Sequence, residues 1–471
     1  MIDLTIHFDG AGEKHLYEQI YEHIKKEIRE GKLLQEERLP STRSLAENLQ
    51  ISRSTASAAY EQLVAEGYLE ARPNKGYYVS RYEDLYHLGV KKGKQQENQE
   101  SPPKKNAYKI EFALNGMGED LFPHATWRSL YKETMKKHSG DLFRLGDPQG
   151  EMELRTTISR YLHSSRGVNC SPSQILIGAG NDYLLLVLDK ILGERASIAM
   201  EEITYNRAFQ LFKSCGHQII RVGMDANGIR IDDLEKSEAS LAYVMPAHQF
   251  PMGIVMPMSR RMELLGWAHE KEERYLIEDD YDSEFRYQGK PIPALCASDV
   301  KDKVIYIGTF SKSIAPAIRI SYLVLPESLL EKYREKAFFL ASTVSRTDQF
   351  MLNEFIREGY FERHLNKMRK GYKNKHDLLL EELRAFGHAF TISGENAGLH
   401  LLLHSKQNKT DSKLQQEALQ CGVKVTTLSE LLLPGDTIQS YHEGTVLLGY
   451  GGLTEIEILE GMKALKNAWA E

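Results

Sequence analysis

From Lys91 to Lys109 the chain reads Lys-Lys-Gly-Lys-Gln-Gln-Glu-Asn-Gln-Glu-Ser-Pro-Pro-Lys-Lys-Asn-Ala-Tyr-Lys, with almost no apolar side chain. Such a run cannot bury enough surface to offset the entropy of ordering it, so it reads as a flexible linker. That seam divides the 471 residues into two units that must each build a core: residues 1–81 and residues 110–471, with 82–109 between them. Hydrophobic residues make up 41% of the chain, enough for two cores of these sizes.

The first unit predicts three helices and a hairpin. Leu16, Ile20, Ile24 and Ile28 repeat every four residues and give one apolar stripe. A second helix opens at Ser41 after Leu39-Pro40 and carries Leu45, Ala46 and Leu49; a third opens at Ser52, continues through Ala59, Leu63 and Val64, and ends at Gly67. Tyr68 to Ala71 and Gly76 to Val79 then form two strands around Arg72-Pro-Asn-Lys75-Gly76. This is a winged helix-turn-helix pattern, an α+β fold. Its third helix starts Ser52-Arg53-Ser54-Thr55 with no acid before Glu61, so its N-terminus can approach phosphate while Arg53 reaches a base edge. Ser41, Arg43 and the wing residues Lys75 and Gly76 are further contact candidates. Acidic side chains slightly outnumber basic ones in this unit, and the whole chain carries a net charge of -6, so the DNA reading rests on placement. A docking domain with surface arginines is the alternative.

The second unit carries Gly308-Thr309-Phe310-Ser311-Lys312-Ser313, with Arg319 seven residues beyond the lysine. Hydroxyls, a lysine and an arginine at this spacing can hold pyridoxal 5'-phosphate (PLP), with Lys312 as its Schiff-base partner. Val304 to Ile307 reads as a buried strand, which puts the lysine on a loop leaving a sheet, where cofactor sites of α/β folds gather. Upstream, Tyr275-Leu-Ile277 leads into Glu278-Asp-Asp-Tyr-Asp282: Asp279 suits a pyridinium nitrogen and Tyr281 a ring hydroxyl. Gln174 to Ile177 predicts a strand, Gly178-Ala179-Gly180 its turn, and Asn181 to Leu192 a helix whose first amides suit a phosphate. Tyr205, after the strand-like Ser197 to Met200, is placed to stack on the ring.

The glycine turn, the aspartate–tyrosine pair and the serine–lysine loop with its arginine resemble, in order, a fold-type I aminotransferase from about residue 110 to 471. Leu145-Gly-Asp-Pro-Gln-Gly150 with Leu154-Arg155 resembles that fold's early loop. Pro40-Ser-Thr-Arg43 and Ile51-Ser-Arg53-Ser-Thr55 resemble the GntR group of bacterial regulators. A GntR-like reader joined to an aminotransferase-like body resembles the MocR family of transcriptional regulators, and within it the GabR type. The lack of a secretion-signal pattern or membrane-length run predicts a cytoplasmic protein, and the resemblance implies a head-to-tail homodimer that binds a double-stranded DNA operator and senses an amine or amino-acid effector by aldimine exchange at Lys312. It also implies Arg319 and Ser311 in the phosphate cup and Arg207 at the effector carboxylate.

Three departures from these patterns bear on function. No arginine follows Arg384, and Leu447 stands where aminotransferases carry a carboxylate-binding arginine. Glu430 aligns with a second effector-binding arginine of the GabR type, a change that would favour an ammonium. In His248-Gln-Phe250-Pro-Met-Gly253, Phe250 replaces an asparagine that many aminotransferases aim at the ring hydroxyl. The alternatives are an authentic aminotransferase with a DNA-binding domain and a regulator that senses PLP itself. Cys170, Cys215, Cys296 and Cys421 lack metal or redox spacing, and no run predicts a secretion signal or membrane span.

Overall fold

A computed structural model describes residues 6, 14–81, 108–193, 195–287, 292–387, 389–433 and 442–469. The chain divides into two compact units, Met1–Pro103 and Lys104–Glu471. Most of the expected linker, residues 82–107, lies outside the described residues. Its last two residues already bond to the second unit: Tyr108 donates to Glu111, and the Lys109 amide donates to the Gly422 carbonyl at 2.8 Å.

The first unit has helices α1 (Leu16–Arg29), α2 (Thr42–Leu49) and α3 (Arg53–Ala65), then strands β1 (Leu69–Arg72) and β2 (Gly76–Val79). Ile20, Ile24 and Ile28 of the α1 stripe are buried, with Leu45, Ala59, Tyr60 and Leu63, while Leu16 stays 44% exposed at the helix start. The two predicted caps form: the Ser41 hydroxyl accepts from the Ser44 amide and the Ser52 hydroxyl from the Thr55 amide, each at 3.1 Å. Each satisfies an amide that the first turn would leave unpaired. β1 and β2 pair antiparallel from Leu69↔Val79 to Arg72↔Gly76. Gly76 takes φ +100°, and a Cβ there would lie 3.5 Å from Arg38 Nε.

The second unit is built on a seven-stranded sheet in the order Ile175–Gly178, Ser321–Val324, Val304–Thr309, Tyr275–Asp280, Leu241–Val244, Ser197–Glu201, Gln218–Val222. Only Ser321–Val324 runs against its neighbours. The two central strands are buried along their whole length, as expected where helices cover both faces of a mainly parallel sheet. Separate apolar clusters fill the two faces, one around Leu184, Phe212 and Ile307, the other around Ile158, Tyr306 and Phe355. A smaller antiparallel sheet, Phe390–Ser393, His400–Ser405, Thr445–Gly449 and Thr426–Thr427, packs with the long helix Tyr360–Arg384. No helix among the described residues is long and apolar enough to cross a membrane.

Candidate functional site

Parallel strands deliver their C-terminal ends to one edge of a sheet, and the crevice outside that edge is where α/β folds bind ligands. Here Asp279 lies at the end of one central strand with Tyr281 just beyond it, and Thr309 ends its neighbour, in a register that pairs Asp279 with Ile307 and Asp280 with Gly308. Tyr205 and Arg207 follow the strand Ser197–Glu201. These residues, with Asn181, Ser311, Lys312 and Arg319, line one cavity of about 790 Å³.

Asp279 is buried, accepts from Asn181 Nδ2 at 3.1 Å and also accepts from the Tyr243 phenol. Burial pushes its carboxyl up to about 6, against the pull of these two donors. Tyr281 Oη lies 2.9 Å from His248 Nδ1, which is itself 2.8 Å from Asp282 Oδ2. Burial, with the charges of Asp282 and Asp279, holds that phenol well above the ordinary tyrosine range, so it stays a donor. Lys312 donates to the Leu114 carbonyl at 2.9 Å and to Asn115 Oδ1 at 3.4 Å. Desolvation lowers its ammonium below the ordinary lysine value, which raises the fraction available as a neutral amine.

The glycine turn contributes by shape. Gly178, Ala179 and Gly180 do not line the cavity. The amides of Ala179 and Gly180 are already paired, with Thr343 Oγ1 and the Gly178 carbonyl. Gly180 has φ +90°, and a Cβ on it would stand 2.1 Å from Arg319 Nη2, so glycine makes room for that guanidinium. Arg319 reaches the Ala179 carbonyl at 3.5 Å and Asp182 Oδ2 at 3.3 Å. Thr309 Oγ1 accepts from the Ser311 amide at 3.1 Å and from Ser321 at 2.8 Å.

Glu430 is not part of the cavity. It is the third residue of a short 3-10 turn, where one carboxylate oxygen accepts from the Thr427 amide at 3.0 Å and the other from Gln415 Nε2 at 2.8 Å. A capping box has claimed the side chain, and its neighbour Leu431 lines the cavity instead. Phe250 also lines it, meeting Tyr205 and Tyr281 edge-on at 6.2 and 6.1 Å. Leu447 is buried and carries no polar atom to the site.

Sequence reasoning missed Asp182, Tyr243, Asn115 and His400. Asp182 takes Arg207 at 3.4 Å as well as Arg319, and its place beside Asn181 at the helix start was the available signal. Tyr243 and Asn115 had none: the pairing of distant strands brings Tyr243 to Asp279, and Asn115 reaches Lys312 from a turn 197 positions away. His400 enters from the smaller sheet, and burial drives its imidazole down to about 3, so it is neutral.

In the first unit Arg53 and Lys75 are exposed, and among the described residues neither has an ion-pair partner. Arg43 is exposed but pairs with Glu47 at 3.0 Å. Ser52 binds Ser54 and Thr55 through its hydroxyl, at 2.7 and 2.8 Å.

Residues 16–79 match the bacterial regulatory proteins of the gntR family, and residues 114–438 match aminotransferase class I and II. The chain is 39% identical over 481 residues to the uncharacterized HTH-type transcriptional regulator YhdI of Bacillus subtilis, covering 100% of this chain and 99% of that one. It is 30% identical over 479 residues to the probable rhizopine catabolism regulatory protein MocR of Rhizobium meliloti, covering 98% and 95%. Among solved structures, the kynurenine aminotransferase of Pyrococcus horikoshii, a complex with PMP, superposes with TM-score 0.68 at 26% identity, covering 76% of this chain and 90% of that one. Fold and matches together define a transcriptional regulator with a winged helix-turn-helix head and an aminotransferase body. The chain belongs to the MocR-type family of such regulators.

Proposed function

We propose that the body holds PLP at Lys312 and senses an amine or amino-acid effector there, and that the result changes how the head engages a double-stranded DNA operator. The observation that carries this reading is the convergence of Lys312, Asp279, Tyr281 and Arg319 on one cavity from two separate stretches of chain. The residues fit the cofactor. Asp279 offers a buried carboxylate to a pyridinium, Tyr281 a persistent donor to a ring hydroxyl, and Tyr205 an aromatic face. Arg319 and Ser311 offer a cation and a hydroxyl to a phosphate, and Gly180 keeps the space that Arg319 needs.

Bound PLP supplies a carbonyl carbon on which primary amines exchange and a chromophore that reports the exchange. Lys312, its ammonium destabilised by burial, would be the protein's own amine at that carbon, and Leu114 and Asn115 accept its hydrogen bonds in the cavity. Arg207 lines the same cavity, and the resemblance places it toward the effector's tail. Transmission requires that the effector bind two states of the protein unequally, and a head-to-tail homodimer of the GabR type would make the spacing of two heads that second state. Regulation, more than steady transamination, is favoured because Leu447 replaces the late arginine and no cation replaces it on that strand.

The test is a visible absorption scan of PLP-loaded protein against a panel of primary amines and amino acids, read beside operator binding. A spectral change with a matching change in operator affinity is expected. Sustained turnover of an amino donor and an oxo acid would instead make it an aminotransferase. Operator binding that follows PLP loading alone would make PLP the signal.

A further inference from the structure

With Glu430 outside the cavity, another residue must set the charge of the effector's tail. On the reading just given, Lys312, Asp279 and Arg319 are committed to the cofactor, and Asp282 is held 2.8 Å from His248. The charged side chains left on the cavity wall are Arg207, Asp182 and Glu111. From the smaller sheet and its loops come Leu399, Thr426 and Leu431, which are uncharged, and His400, which burial keeps neutral.

Among the described residues Arg207 is therefore the one remaining cation on the wall, and it is already answered. Asp182 Oδ2 lies 3.4 Å from Arg207 Nη1 and 3.3 Å from Arg319 Nη2. An anion that took Arg319 would leave Asp182 to Arg207 alone. A carboxylate arriving at Arg207 must then displace, or sit beside, a carboxylate fixed on the first turn of the helix Asn181–Leu192. Glu111 adds a second acid to the same wall, its own charge met by Lys424 at 2.8 Å.

We propose that Asp182 is the residue that selects the effector's tail, making this a sensor for primary amines whose far end is neutral or cationic and excluding those ending in a carboxylate. Two like charges at one cation repel, whereas a neutral tail leaves the Asp182–Arg207 pair intact and an ammonium tail gains a partner.

Three ligands of one length isolate tail charge: 5-aminopentanoate, pentylamine and 1,5-diaminopentane, each titrated into PLP-loaded protein by visible absorption. Wild type should bind them in rising order of affinity as written. Asp182→Asn should narrow the gap between 5-aminopentanoate and pentylamine by roughly three- to tenfold, the scale of one partly exposed charge pair, and Asp182→Ser should do the same. Comparing ligands within one variant cancels any change in cofactor loading. Tightest binding of 5-aminopentanoate to wild type, or an unaltered gap in both variants, overturns the assignment while leaving amine sensing in place. If none of the three alters the spectrum, amine sensing falls and the tail assignment falls with it.

Discussion

The two ends of this molecule treat their cations in opposite ways. In the head, Arg53 and Lys75 project into solvent with no ion-pair partner among the described residues. In the body, Arg207 and Arg319 share Asp182, and Lys312 is satisfied by Leu114 and Asn115. A free cation suits a polyanion, which binds by releasing counterions and gains from every exposed charge. A cation already paired suits a small ligand, because only a molecule that betters the existing partner gains entry. The contrast separates affinity, supplied at the head, from discrimination, supplied in the cavity.

The largest expected effect lies in the body. Lys312→Ala should abolish the borohydride-fixed attachment of PLP while leaving the folded state intact by circular dichroism; a retained covalent adduct would assign the attachment to another lysine. Next, Arg53→Ala should weaken operator binding by about 1–3 kcal/mol and relax preference at one base step if Arg53 reads a guanine. An equal loss on random DNA would make it a phosphate contact.

Asp279→Asn should weaken PLP retention about tenfold near neutral pH, the scale of one lost charge-assisted contact. Its pH dependence has a definite sign. A carboxyl raised to about 6 in the folded protein is protonated below that value, so the wild type's advantage over Asp279→Asn in holding PLP should shrink as pH falls through about 6. For the PLP-free protein the linkage runs the other way: this group's contribution to stability is fully present at low pH and is lost as pH rises through about 6. A constant ratio of PLP affinities from pH 5 to pH 8 would move the ring-nitrogen role off Asp279.

The smallest effects test the comparison most directly. Lys75→Ala should lower affinity for all DNA sequences alike and reduce the salt slope by about 1. Arg43→Ala should cost less, since Arg43 must first leave Glu47, and Glu47→Gln should tighten DNA binding slightly. If Glu47→Gln weakens it, the Arg43–Glu47 pair is the feature that DNA recognises, and freedom from partners is not what marks a contact residue in the head.

Much of the fold was legible because local signals and tertiary structure agreed. Ser41 and Ser52 announced their helices, the apolar runs Ile175–Ile177 and Tyr275–Ile277 announced buried strands, and Asp279, Tyr281 and Lys312 follow from where such strands end. Glu430 was misplaced because an alignment of one loop fixes a position and not a direction: two local hydrogen bonds, to Thr427 and Gln415, turn the side chain away. Leu114 and Asn115 were invisible because their meeting with Lys312 spans almost 200 positions, 198 for Leu114 and 197 for Asn115, and is set by sheet packing that no local pattern records.

The space at Gly180 has a genetic consequence. An added methyl group would meet the Arg319 guanidinium and would sit at a φ of +90° that L side chains rarely adopt, so Gly180→Ala should evict the guanidinium and strain the turn before the helix Asn181–Leu192. The head, a separate compact unit, would still occupy its operator. On the proposed function, such an allele would be deaf to an effector yet competent on DNA, and when expressed beside the wild-type gene it should be dominant, because a protein that holds the site without responding blocks one that does both.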